Sequence, residues 1–309
     1  MNIYVPSYYQ KFRCIADRCR HSCCVGWEID IDETTMSYYN ELDGKIGDRI
    51  RKSISGKNPH FELTKDERCP HLNQNGLCDI ITELGEDALC DICYDHPRFR
   101  NFYSDFVEIG LGLTCEAAAE LIIKSQDSFE IVPLDIAGTP TMTDDEKNVL
   151  DARCQLINIM KERKTDIVKR FENLCKDEVC NDLNIWIEHC LGLERLDKSW
   201  TDILMDIKNS NLKTFYPFDA DDRLTVALEQ LMIYFLYRHI PSAIDDGRLL
   251  EKVRFGVLSC NLINTLCIYQ KSRNPKADIV DLFVDIARMY SSEIEYSDEN
   301  LELMIQKLS

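Results

Sequence analysis

Three short segments near the amino terminus carry closely spaced cysteines: Cys14-x4-Cys19-x3-Cys23-Cys24-Val-Gly-Trp27, Cys69-Pro-His-Leu-Asn-Gln-Asn-Gly-Leu-Cys78 and Cys90-Asp-Ile-Cys93. Together with Cys115 they hold nine of the 15 cysteines of the chain. Close spacing of this kind allows one turn or helix start to present two sulfurs to the same metal centre. We therefore expect these segments to converge on bound metal.

The spacing leaves the identity of the metal open, because thiolates bind both zinc and iron-sulfur clusters. Zinc ribbons repeat a Cys-x2-Cys knuckle, and only Cys90 and Cys93 have that spacing here. Nine cysteines also exceed one four-thiolate site. The surplus fits a second site, an unligated structural set or a redox pair, and we expect at least one of the adjacent Cys23 and Cys24 to lie outside a shared site.

Composition narrows the class of protein. The 309 residues include 36 Lys and Arg against 54 Asp and Glu, a net charge of −18, which argues against nucleic-acid binding. Residues 1–13 lack the basic and apolar regions of a secretory signal. The best membrane candidate, residues 224–240, is interrupted by charged side chains, so we expect no membrane span. A cytoplasmic location follows, and thiols stay reduced there.

Glycine and proline are scarce, at 12 and 9 residues, which favours helices over a turn-rich β architecture. We expect a mainly α chain with two domains. Residues 1–140 should form a small, irregular, cysteine-rich metal-cluster domain, and residues 141–309 a helical domain. Short strands are predicted at residues 28–32, 106–113 and 129–136.

Local patterns predict several helices. Thr143 and Glu146 have the spacing of a capping box, and Thr114 is placed to cap a helix that begins at Cys115. Apolar stripes recur at helical spacing in three later segments, residues 224–235, 279–290 and 301–308. Cys260 and Cys267, seven residues apart on another helical pattern, are expected to be small core residues.

The quoted cysteine segments resemble those of the bacterial flagellin lysine-N-methylases. The resemblance continues through Leu84-Gly-Glu-Asp-Ala-Leu-Cys-Asp-Ile-Cys-Tyr-Asp-His-Pro-Arg98, Leu113-Thr-Cys-Glu-Ala-Ala-Ala119 and, less specifically, Tyr237-Arg-His-Ile-Pro-Ser-Ala-Ile-Asp-Asp-Gly247. It implies methyl transfer from S-adenosylmethionine to flagellin lysines, with a [4Fe-4S] cluster on the amino-terminal cysteines. Glu116 departs from the family, where Pro often follows the cysteine.

The resemblance also implies a pool of cluster ligands. The first choices are Cys14, Cys19, Cys23, Cys24, Cys69, Cys78 and Cys93. Cys90 and Cys115 are second choices. The resemblance does not indicate which four bind.

Methyl transfer to lysine needs a neutral amine, so a low-polarity pocket or a nearby base must remove the proton. Asp30, Asp32, Tyr94 and His96 are candidate catalytic residues, and the forked donors of Arg98 are suited to the carboxylate of the methionine moiety. Each has an ordinary structural interpretation as well. Strand carboxylates usually face water, and an arginine often pairs with a nearby acid.

Three alternatives stay open. Gly110 and Gly112, near the end of the strand predicted at residues 106–113, resemble the strand-and-glycine turn of a Rossmann-like methyltransferase. No alternating series of strands and helices follows them, however. Zinc could hold the amino-terminal half in a non-catalytic protein-binding scaffold. An iron-sulfur electron carrier would use the same cysteines without methylation.

Overall fold

The computed structural model describes residues 1–175, 182–210, 212–218 and 222–309. These residues form two compact units. We call residues 13–98 the cysteine unit, and residues 1–12 together with residues 99–309 the helical unit. The domain boundary after residue 140 stays a prediction.

The cysteine unit is built from short elements. Its strands β2 and β3 each pair with β4 in an antiparallel sheet of order β2-β4-β3. The bounds are β2 Ile29–Asp30, α1 Glu33–Glu41, α2 Gly44–Lys52, β3 Ile54–Ser55, β4 His60–Phe61, α3 Asp79–Leu84 and α4 Asp91–Asp95. The strand predicted over residues 28–32 is confirmed as β2, although it is shorter.

The helical unit contains a four-stranded sheet of order β5-β6-β1-β7. Strand β1 runs parallel to β6 and antiparallel to β7. The bounds are β1 Asn2–Pro6, β5 Arg98–Phe102, β6 Phe106–Leu111 and β7 Ile131–Asp135. Strands β6 and β7 confirm the predictions at residues 106–113 and 129–136.

Helices form the rest of the helical unit, so the described chain is mainly α with short strands. Their bounds are α5 Glu116–Ile123, α6 Asp144–Lys161, α7 Ile167–Leu174, α8 Leu183–Gly192, α9 Lys198–Lys208, α10 Asp222–His239, α11 Ala243–Asp246, α12 Leu249–Arg273, α13 Ile279–Tyr290 and α14 Asp298–Gln306. A π-helical turn, Ser291–Glu295, joins α13 to α14. No described helix combines the length and apolar character needed to cross a membrane.

The predicted helix signals are largely confirmed. The capping box of Thr143 and Glu146 starts α6. The three apolar stripes lie on α10, α13 and α14, and α10 packs against α5, α6, α12 and α13. Cys260 and Cys267 are fully buried in α12, as expected of core residues.

One predicted cap is wrong. The residue that precedes α5 is Cys115, and no side chain caps its first turn. The hydroxyl of Thr114 instead pairs with Ser292 Oγ at 2.6 Å. Thr114 therefore connects the start of α5 to the π-helical turn.

A buried ion pair joins the sheet to α6. Arg153 binds both carboxylate oxygens of Glu108, a residue of β6, at 2.6 Å each. The two side chains are only 5% and 4% exposed. The Tyr103 hydroxyl also donates to Glu108, at 2.9 Å. Removing Arg153 would leave the Glu108 charge buried with only this neutral donor among the described contacts, which is far more costly than losing an exposed pair.

We expect Arg153→Met to lower the free energy of unfolding by about 3 to 5 kcal/mol, because Glu108 stays buried without its partner. Urea unfolding followed by circular dichroism measures the loss. Lys169→Met is the matched control, since Lys169 and Glu172 form a pair that is 62% and 56% exposed. A loss in Arg153→Met no larger than in this control would show that the buried pair contributes little.

Candidate metal centre

The core of the cysteine unit contains sulfur. Cys69 and Cys90 are buried in it, at 5% and 1% exposure. Cys24, Cys78 and Cys93 are partly buried and pack against the same core. We call these five thiols the thiol core. The fold thus brings residues from all three cysteine segments into one hydrophobic cluster.

Two helix starts orient the thiols. Cys78 is the residue before α3, and its side chain makes no capping hydrogen bond. Burial raises the pKa of Cys78, while the nearby amides of Ile80 and Ile81 lower it. Cys90 is the residue before α4. Amides at a helix start favour a thiolate, the form that binds metals.

Cys69 lies in the core beside Cys24. The Cys69 amide donates to the carbonyl of Cys24 at 2.8 Å. Burial raises the pKa of the Cys69 thiol to about 12. Cys69 is therefore a neutral thiol unless a cation binds it.

Hydrogen bonds between neighbouring cysteines shift the pKa values of several thiols. The hydrogen bond with Cys23 lowers the pKa of Cys24 to about 7. The bond between Cys90 and Cys93 lowers the pKa of Cys90 and raises that of Cys93. Sharing a proton in this way is possible only where sulfur atoms approach each other.

The remaining predicted ligands lie elsewhere. Cys14 is exposed, and its sulfur lies 3.4 Å from the amide nitrogen of Ala16. Cys19 follows a short helical turn, and Cys115 belongs to the helical unit. Among the described residues, no three His, Cys, Asp or Glu side chains are arranged to hold a metal ion. The ligand set therefore stays a prediction.

Asp32 has a structural role. One carboxylate oxygen caps α1 by accepting from the Thr35 amide at 2.8 Å, and the other accepts from the Asp91 amide at 2.9 Å. Although burial opposes ionisation, these amides hold the pKa of Asp32 below its usual range. Asp32 thus links α1 to α4, which carries Cys93.

The other predicted site residues also belong to the cysteine unit. The described contacts do not bring all of them together in one site. Asp30 and Tyr94 are exposed. Burial, together with the smaller effect of the Arg98 charge, lowers the pKa of His96 to about 4. Arg98 donates to the carbonyl of Tyr94 at 2.9 Å.

The helical unit contains a buried polar cluster that sequence patterns did not indicate. Its centre is Glu295, in the π-helical turn, which accepts from Tyr234 at 3.0 Å and pairs with His239 at 2.7 Å. The guanidinium of Arg238 lies 5.0 Å from the Phe99 ring centroid. Burial opposes ionisation of Glu295, but the charge of Arg238 and the His239 contact hold its pKa below the usual range.

The two glycines near this cluster are required for packing. A Cβ on Gly110 would collide with the ring of Phe99, and a Cβ on Gly112 would collide with the hydroxyl of Tyr296. The Gly112 position also lies 3.1 Å from Arg238 Nη1. The glycines make room for side chains, so they need no phosphate-binding explanation.

Comparison with known proteins identifies relatives of the chain. The model of the FliB lysine N-methylase C-terminal domain matches residues 109–309. Proteins named Lysine-N-methylase from Salmonella typhimurium and Salmonella choleraesuis are each 29% identical over 134 residues, which cover 41% of this chain and 33% of theirs.

The Flagellar biosynthetic protein FliU of Salmonella muenchen is 28% identical over 134 residues, or 41% of this chain and 79% of that protein. The chain thus matches only about a third of the length of the two proteins named Lysine-N-methylase. No solved structure matches.

We expect Gly112→Ala to lower the free energy of unfolding by roughly 1 to 3 kcal/mol, because the added methyl group displaces Tyr296. Thermal and urea unfolding measure the change. Gly138→Ala is the control, since nothing lies within 4 Å of its Cβ position. Equal stability of both variants would show that the space beside Gly112 adapts at no cost.

Proposed function

The chain belongs to the FliB lysine N-methylase family, and we propose that it transfers a methyl group from S-adenosylmethionine to the ε-amino groups of flagellin lysines. The family match over residues 109–309 carries this proposal. The relatives named Lysine-N-methylase support the reaction, and the relative named Flagellar biosynthetic protein FliU supports a flagellar substrate.

We propose further that the cysteine unit binds a [4Fe-4S] cluster through members of the thiol core. The chemistry of the donors fits, because five thiols from three segments share one core. A cubane cluster takes one thiolate per iron, so its ligand sulfurs lie farther apart than those around a single zinc ion. When bound, such a cluster supplies redox-active iron.

The thiol core changes the order of the proposed ligands. Cys90 moves from a second choice to a member of the core, because it is buried beside Cys93. The first choices that lie in the core are Cys24, Cys69, Cys78 and Cys93. Those that are not part of that core are Cys14, Cys19 and Cys23.

The lysine substrate sets requirements on this chain's own residues. An ammonium group must lose its proton before its nitrogen attacks a methyl group. Asp30, Tyr94 and His96 stay candidates for that transfer, while both oxygens of Asp32 are committed to backbone amides. With a pKa of about 4, His96 is neutral at pH 7, but it is a weak base towards a lysine ammonium.

Charge supports a lysine-bearing substrate. The net charge of −18 attracts a basic segment over distances comparable to the Debye length. We propose that flagellin is methylated in the cytoplasm before assembly. The cysteines in the described residues are free thiols, in keeping with a reducing compartment.

We expect protein purified without oxygen to hold about four iron atoms per chain and to absorb broadly in the visible range. We also expect it to methylate flagellin lysines when S-adenosylmethionine is present, as measured by mass spectrometry of the flagellin peptides. Omitting S-adenosylmethionine is the control for the methylation assay. Cluster-loaded protein that adds no methyl group would refute the methyltransferase and leave an electron carrier.

Substitution of the thiol core tests the cluster separately. Cys78→Ser is expected to lose most of the bound iron, because one sulfur of the thiol core is removed. Cys154→Ser is the matched control, since Cys154 is an exposed thiol of the helical unit. Stoichiometric zinc in colourless wild-type protein would instead support the zinc-bound scaffold.

A further inference from the structure

The cysteine unit contains a buried imidazole with one unsatisfied nitrogen. The side chain of His71 is 0% exposed. Its Nδ1 atom is completely buried and has no hydrogen-bond partner among the described residues. A buried polar atom without a partner costs free energy, so its retention calls for an explanation.

The other ring nitrogen reveals which tautomer is present. Ser53 Oγ lies 2.7 Å from the Ile50 carbonyl oxygen and 2.9 Å from His71 Nε2. A carbonyl has no proton, so the single hydroxyl proton of Ser53 must point to Ile50. The hydroxyl oxygen then accepts from His71, and Nε2 carries the ring proton.

It follows that Nδ1 has a bare lone pair. A doubly protonated ring would bury a cation with an unpartnered N–H group, which is more costly than the neutral ring. This is the arrangement of a metal-binding histidine, in which one nitrogen donates to a fixed acceptor and thereby leaves the other free to coordinate.

The chain places His71 beside two of the thiols. It follows Cys69 by two residues, and its carbonyl accepts at 2.8 Å from the amide of Asp79, the residue after Cys78. Its ring packs edge-on against Phe61, with 4.7 Å between the ring centroids. Phe61 belongs to the same core as the buried thiols.

We propose that His71 is a metal ligand of the cysteine unit, binding through Nδ1 alongside thiolates of the thiol core. The inference rests on the metal centre proposed above and assigns it a ligand outside the cysteines. An imidazole in place of a thiolate removes one negative charge from an iron-sulfur cluster and raises its reduction potential.

His60 provides a matched comparison within the same unit. Its Nδ1 lies 2.9 Å from the carbonyl oxygen of Asn58, and its Nε2 lies 3.2 Å from Ser55 Oγ. Since a carbonyl can only accept, Nδ1 of His60 carries the proton and Nε2 accepts from Ser55. Both nitrogens of His60 are therefore occupied, and it has no lone pair to offer a metal.

The decisive measurement needs no variant. Wild-type protein is expressed with ring-¹⁵N histidine or with unlabelled histidine and is purified without oxygen. Its iron and zinc contents per chain are then measured. If iron is bound, the cluster is reduced and examined by pulsed electron paramagnetic resonance. We expect a strong nitrogen coupling that changes with the histidine label.

Two variants locate the coupling. We expect His71→Cys to retain iron, to lose the histidine coupling and to shift the cluster to a lower reduction potential, because a thiolate replaces the imidazole. His60→Gln should retain both the coupling and the potential.

The outcomes separate the two proposals. A cluster without histidine coupling would overturn the role of His71 and leave the cluster intact. Zinc in place of iron would refute the cluster. In that case, zinc-edge X-ray absorption showing one nitrogen ligand, lost in His71→Cys, would uphold His71, and sulfur-only ligation would overturn it. Protein that binds neither metal under these conditions would contradict both proposals.

Discussion

The burial of sulfur is the constraint on which the cysteine unit depends. Its strands have two residues each, and its longest helices, α1 and α2, have nine. Thiols fill part of the core that these short elements enclose. Because a metal binds only where such donors are gathered, its binding free energy would add directly to the stability of this fold.

The core of the helical unit differs in that it contains buried carboxylates, whose charges need hydrogen-bond donors. Glu229 accepts from Arg163 and Arg170, both at 2.8 Å, and so joins α10 to α7 and to the loop that precedes α7. Glu293 accepts from the backbone amides of Leu196 and Asp197. Each buried carboxylate is compensated by donors from another element, so these charges set the positions of helices that apolar packing alone would leave free to slide.

Sequence reasoning succeeded where the cause was local. The capping box of α6 joins residues three apart, and the buried cysteines of α12 follow its helical period. It failed for Thr114, whose hydroxyl partner is Ser292, 178 positions away. The cluster around Glu295 was likewise invisible, since its members come from two separate helical segments. Spacing within each cysteine segment could not indicate which thiols share a core, because the core joins three segments that are distant in sequence.

Hydrogen-bond counting distinguishes roles that residue types cannot. Asp32 and His71 both lie near cysteines, and either residue type can move a proton or bind a metal. Both oxygens of Asp32 accept backbone amides, so the residue holds two helices in place. One nitrogen of His71 donates to Ser53 while the other has no partner in the described chain, so that valence is left for a ligand. In this core, a buried polar atom without a hydrogen-bond partner is a better indicator of ligand binding than the residue type alone.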